Sequence, residues 1–169
     1  LLGAGFVGVL AQVSIPLGFT PVPITGQTLG VLVAGCALGW RRAASSMGLY
    51  LLAGLAGVPW FVHHSAGGQG PSTGYLVGFI LSAGVCGYLA ERGGDRRVLS
   101  AVPVMLVGEL LIYLIGVPWL AIDLHVSLAK AISLGLTPFI GGDAIKAAIA
   151  ASLLPGAWRL VRSGSRGSS

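Results

Sequence analysis

Charge is scarce in this sequence. Of its 169 residues only 9% are Asp, Glu, Lys or Arg, against about 25% in an average soluble domain, while 54% are hydrophobic and the mean hydropathy is +0.88. A water-soluble globule is excluded. Cysteine is nearly absent as well: Cys36 and Cys86 lie in apolar runs without metal-ligand spacing, so they read as buried, inert thiols and not as a disulfide framework. The H-E-x-x-H and G-x-x-x-x-G-K-[ST] patterns are missing, which argues against an enzyme and assigns any ATP-driven work to another chain. His63 and His64 are adjacent, cannot both face one ion easily and have no third ligand spaced nearby, so they read as solvated loop residues. The net charge of +5 does not form the basic stripe of a nucleic-acid binder, because long uncharged runs surround the arginines. Neither a cofactor nor a nucleic-acid partner is expected.

What is present is a series of apolar runs. A hydrocarbon core of about 30 Å needs about 20 mostly apolar residues per helix, so six spans occupy most of the chain. Residues 1–40 carry no charge but are cut by Pro16, Pro21 and Pro23, which predicts spans near 1–15 and 25–40. The first begins at Leu1 without a charged n-region and reads as a trimmed helix instead of a signal peptide. The run 43–90 is cut by PWFVHHSAGGQGPSTG (59–74), which predicts spans near 43–58 and 74–91. Residues 98–117 form a fifth span with Glu109, and 138–154 a sixth with Asp143 and Lys146, started by Thr137-Pro138 and stopped by Leu154-Pro155. Between them 118–136 is less apolar and reads as an interfacial or re-entrant helix. The fold expected is an all-α integral membrane protein, one six-helix transmembrane domain over 1–158 with a polar, disordered tail over 159–169.

Eight of the ten basic residues, Arg41, Arg42, Arg92, Arg96, Arg97, Arg159, Arg162 and Arg166, follow spans two, four and six. Cytoplasmic loops collect Lys and Arg, so both termini are expected in the cytoplasm of a multi-pass plasma-membrane protein. Trp40, Trp60, Trp119 and Trp158 each fall at an expected span end, where the indole prefers the lipid headgroup zone.

Ionisable groups inside a bilayer are expensive and ask for a partner or a job. Asp143 and Lys146, three residues apart, share a helix face and can pair. Counted from Pro138, they fall roughly 8 and 12 Å below the external helix start, in the outer half of the membrane. The helix N-terminus near Gly141-Gly142 adds a positive end suited to an anion. A ligand site is the preferred reading, a structural ion pair the other. Glu109, with Tyr113 one turn on, reads the other way, as an internally hydrogen-bonded structural group. The external connections add neutral hydrogen-bonding groups: Thr25 and Gln27 before and in span two, then Gln69, Ser72, Thr73 and Tyr75 before span four.

The stretches PVPITGQTLGVLVAG (21–35), GLYLLAGLAGVPWF (48–61), GPSTGYLVGF (70–79), YLIGVPWLA (113–121) and TPFIGGDAIKAAIAA (137–151) occur in this order. Together they resemble the biotin-specific substrate-binding (S) component of energy-coupling factor transporters, the BioY family. P-V-P-I-T-x-Q-T and the G-D-x-x-K of the last helix are the specific parts. The resemblance implies a six-helix subunit that captures biotin from outside and works with a transmembrane coupling subunit and two cytoplasmic ABC ATPases. It places the vitamin site at Asp143, Lys146 and the 67–75 segment. Whether the pair takes opposite ends of biotin or acts together at one end stays open, with Lys146 the better guess for the carboxylate. The alternatives are an S component for another vitamin, or a stand-alone proton-coupled carrier using Asp143 and Glu109. Ala4 and Gly8 have the small-xxx-small spacing that allows close helix approach, either by a coupling subunit or within this chain.

Overall fold

In the computed structural model, residues 1–67 and 70–166 are described, with 157–166 as helix backbone alone. The elements are α1 (Leu2–Ala11), β1 (Ser14–Ile15), β2 (Ile24–Thr25), α2 (Gln27–Leu38), α3 (Trp40–Leu55), a 3-10 turn (Val62–His64), α4 (Thr73–Glu91), α5 (Val98–Asp123), α6 (Leu128–Gly135) and α7 (Ile140–Arg166). The protein is an all-α membrane protein whose bundle consists of α1–α5 and α7, with the short α6 before the last helix. The helices α4 and α5 are each long and apolar enough to cross a membrane alone, and α6 with the first part of α7 forms a pair bent by 54° that passes the same test together.

The first helices are shorter than their apolar runs. With 10 and 12 residues, α1 and α2 rise roughly 15 and 18 Å. The Pro-rich link between them folds back as an antiparallel pair, Ser14 with Thr25 and Ile15 with Ile24, and so takes residues from both expected spans. Between α2 and α3 there is only Gly39, at φ 75°, a left-handed conformation that suits glycine.

At the other end of the chain the boundaries shift too. Helix α5 continues through Pro118 to Asp123, absorbing the first third of the segment expected to be interfacial. Membrane helices tolerate an internal proline where neighbouring groups satisfy the freed carbonyl. The remainder becomes α6, capped by the Ser127 hydroxyl, which accepts from the Lys130 N–H at 3.3 Å. Thr137 and Pro138 lie in the turn after α6, so α7 starts at Ile140 and not at Pro138. It then runs through Pro155 to Arg166, past the expected stop and through most of the segment expected to be a disordered tail; 167–169 lie outside the described residues.

Two apolar clusters fill the bundle. One gathers Tyr50, Phe61, Tyr75, Phe79, Ile112 and Phe139, and the other Leu32, Cys36, Cys86, Met105, Ala150 and Leu154. Both cysteines are free and buried. On α1, Ala4 and Gly8 are buried within this chain, and a Cβ on Gly8 would lie 3.3 Å from Trp60 Cβ, so their small size serves internal packing. Two of the tryptophans are also tied down: Trp60 donates its indole N–H to Tyr50 O at 2.9 Å, and Trp119, inside α5, donates to Gly70 O at 3.2 Å. The Trp158 side chain lies outside the described residues.

Candidate functional site

Above the first cluster, where the β1–β2 hairpin, residues 61–65 and 70–72 and the start of α7 converge, lies a cavity of about 380 Å³. Small-molecule sites typically occupy about 300–1,000 Å³. Its wall is mostly apolar, with Leu17, Val22, Phe61, Leu76, Phe79 and Phe139 among the lining groups. Polar groups enter at a few points.

The charged point is the first turn and a half of α7. Lys146 Nζ lies 2.9 Å from Asp143 Oδ1 and donates to Thr28 Oγ1 at 3.1 Å. The Thr28 hydroxyl in turn lies 3.5 Å from Asp143 Oδ1, and the Tyr113 hydroxyl donates to Asp143 Oδ2. Three elements therefore hold one carboxylate: α2 through Thr28, α5 through Tyr113 and α7 through Lys146. Because α7 starts at Ile140, Asp143 and Lys146 lie roughly 5 and 9 Å along it, closer to its start than the proline suggested. Asp143 falls in the first turn, where the helix dipole favours an anion.

A second polar group comes from the start of α2. Gln27 is 4% exposed; its Nε2 donates to Tyr50 Oη at 2.9 Å, and its Oε1 accepts from the Thr25 hydroxyl at 3.1 Å. Tyr50 passes its own proton to Trp60 O at 3.1 Å. An amide has two N–H groups and two lone pairs on oxygen, so Gln27 retains capacity toward the cavity. The third group is the N-terminus of α4, where Ser72 and Thr73 line the cavity. Trp119, bonded to Gly70 beside them, stands six residues, or roughly 9 Å, along α5 from Tyr113. The α4 start is thus nearer the mouth than the charged pair.

All six sequence-derived candidates, Asp143, Lys146, Gln27, Ser72, Thr73 and Tyr75, line this one cavity. Tyr75 does so with its ring, its hydroxyl being given to Gly135 O at 2.8 Å. Gln69 lies outside the described residues. Three readings change. Tyr113 serves Asp143 and not Glu109, whose two carboxyl oxygens are buried without a hydrogen-bond partner among the described residues. Gly141 and Gly142 are not among the lining residues, whereas the α4 start is. Thr28 and Tyr113 were not among the sequence-derived candidates; each is a hydroxyl inside an apolar helix, and the sequence does not say which way it points. His63 and His64 are exposed, and His63 stands at the cavity wall.

The family model described as "BioY family" matches residues 1–163. The chain is 39% identical to a biotin transporter BioY of Rhizobium etli, over 87% of this chain and 82% of the relative. It is 40% identical to the biotin transporter BioY of Thermotoga maritima, over 83% and 82%. The crystal structure of an S-component for biotin from an ECF-type ABC transporter superposes with a TM-score of 0.85 at 26% identity, covering 94% of this chain and 87% of that one.

Proposed function

This chain belongs to the BioY family, and from that premise we propose that it is the membrane-embedded subunit that captures biotin for an energy-coupling factor transporter. The observation that carries the reading is the cavity itself: mostly apolar, of small-molecule size, with one ion pair on its wall between the buried Asp143 and the half-buried Lys146. Biotin combines an apolar bicycle, a cyclic urea with two N–H donors and one carbonyl acceptor, and a carboxylate tail. Its bicycle suits the Phe61, Phe79 and Phe139 wall.

Because Lys146 Nζ touches Asp143 Oδ1, both charges act at one end of the ligand. A paired donor and acceptor with no net charge complements the urea, whose carbonyl would accept from Lys146 while an N–H donates to Asp143. A carboxylate at the same place would be repelled by Asp143. The tail then points toward the mouth, to the N-terminal end of α4 with the Ser72 and Thr73 hydroxyls, since helix N-termini favour anions. This assignment takes the same-end alternative and moves the carboxylate away from Lys146, the sequence reading's preferred partner for it. Gln27 and Tyr75 shape the wall between. No cofactor enters the reading.

Arg41 and Arg42, in the first turn of α3, and the Arg92–Arg97 loop lie at one end of the bundle, because Trp40 N donates to Glu91 Oε1 at 3.2 Å. The cavity opens at the other end. With basic loops inside, the mouth faces outward, the termini face the cytoplasm, and the coupling subunit with its two ABC ATPases acts from the basic side.

The test is calorimetry on purified protein with biotin and its carboxamide. Saturation near one biotin per chain supports the reading, and absence of binding overturns it. The carboxamide should bind more weakly to wild type and by the same factor to Lys146→Ala, but lose little further in Ser72→Ala/Thr73→Ala. If the penalty instead vanishes in Lys146→Ala, the tail sits on Lys146.

A further inference from the structure

On the opposite side of α4 from the ligand cavity, an open groove of about 750 Å³ runs between α3, α4 and α5. Its floor is made of small residues: Gly84 of α4 faces Ala44 of α3, and a Cβ on Gly84 would meet only Ala44 Cβ, at 3.6 Å. Every lining side chain is apolar or aromatic, from Trp40 and Tyr88 at one end to Val77 and Ile115 at the other. From Tyr88 to Val77 is eleven residues of helix, roughly 16 Å. That is about half of a 30 Å hydrocarbon core, the depth of one leaflet.

The Trp40–Tyr88 end carries positive charge. Arg41 Cζ lies 5.0 Å from the centre of the Trp40 ring, and Arg92 Cζ lies 3.5 Å from the centre of the Tyr88 ring. Glu91, next to Arg92 in sequence, has a carboxyl oxygen turned into the α2–α3 turn, where it accepts the Trp40 N–H. A one-leaflet apolar slot closed by two guanidinium groups has the shape and charge of a single lipid molecule.

We propose that the α3–α4–α5 groove, with Arg41 and Arg92 at its mouth, binds one anionic phospholipid, its acyl chain along Gly84 and its phosphate between the two arginines. The site is separate from the biotin cavity, so it stands or falls independently of the ligand held there.

The experiment compares delipidated protein after addition of phosphatidylglycerol, phosphatidylcholine or inorganic phosphate, read by native mass spectrometry and by thermal melting. Phosphatidylglycerol should be retained at one molecule per chain and raise the melting temperature. Phosphatidylcholine should bind roughly 30-fold more weakly, the effect expected of two basic side chains beside a membrane surface, and inorganic phosphate should do nothing. Arg41→Gln/Arg92→Gln should lose the preference for the anionic lipid. Gly84→Leu, which fills the floor, should lose retention of both lipids while still binding biotin. Equal retention of the two lipids, stabilisation by phosphate alone, or an unchanged response in both variants overturns the proposal. So does crosslinking that finds Ala44 and Leu81 covered by a second copy or by another membrane subunit in the native membrane.

Discussion

At the residue scale, the site depends on one carboxylate held by three helices. Lys146→Ala strips Asp143 of its cation and Thr28 of a donor, and breaking a buried, hydrogen-bonded charge pair typically costs about 2–5 kcal/mol. Biotin affinity should fall roughly 30- to several-thousand-fold, measured by calorimetry. Lys130→Ala, on an exposed position of α6, should change affinity by less than about tenfold, since a solvated charge contributes about 0–1 kcal/mol. Tyr113→Phe removes a single donor to the charged Asp143, an interaction of about 1.5–3 kcal/mol. A loss of roughly 10- to 150-fold is expected, and it should appear in affinity more than in melting temperature if Asp143 contacts ligand. The Asp143–Lys146 pair was legible because both are charged, three apart and inside an apolar run. Their neutral supports were not, because a hydroxyl in a helix has no sequence signature of the direction in which it points. Tyr113 is the example: one turn from Glu109, it turns instead to α7.

At the scale of the elements, the order and type of the helices could be read from apolar runs, but their ends could not. Proline was given too much weight as a stop. Pro118 and Pro155 lie inside helices, where loss of one N–H is tolerable among packed neighbours, whereas Pro16, Pro21 and Pro23 do interrupt, in concert with the β1–β2 pairing. Helix contacts were equally silent in the sequence. The α4–α5 contact is close because Gly78 lies against the α5 backbone: a Cβ there would stand 2.9 Å from both Ile112 Cα and Ile112 O. Backbone cannot move aside as a flexible side chain can. Gly78→Ala should therefore separate α4 from α5 and destabilise by about 1–3 kcal/mol, as overpacking generally does. Gly48→Ala, where a Cβ meets nothing within 4 Å, should be neutral or slightly stabilising, because alanine favours helix over glycine by about 1 kcal/mol. Paired melts of the two variants in one detergent test the contrast, and equal melting temperatures would contradict it.

At the scale of the whole molecule, the distribution of charge and of cavities sets a direction. Both native cysteines are buried, so single cysteines introduced at the exposed Ser65 and Arg97 report topology against a silent background. A membrane-impermeant maleimide should label Ser65→Cys in intact cells and reach Arg97→Cys only after the membrane is opened; labelling of both from outside would place the basic loops on the wrong side. The same asymmetry governs energy. The described residues offer a cavity at one end and basic loops at the other, and the sequence contains no phosphate-binding loop. Binding and concentrating are then separable tasks. Vesicles holding this chain alone should bind biotin to about one per protein without ATP, because the cavity is already formed and its ion pair already made. Accumulation above the external concentration needs a cycle that empties the site inward, and an equilibrium binding site cannot supply that work. It should therefore appear only when the coupling subunit, both ATPases and ATP are present. Sustained uptake by this chain alone that collapses when the proton gradient is discharged would instead make Asp143, together with the Glu109 carboxyl that has no hydrogen-bond partner among the described residues, the place to look for a proton path.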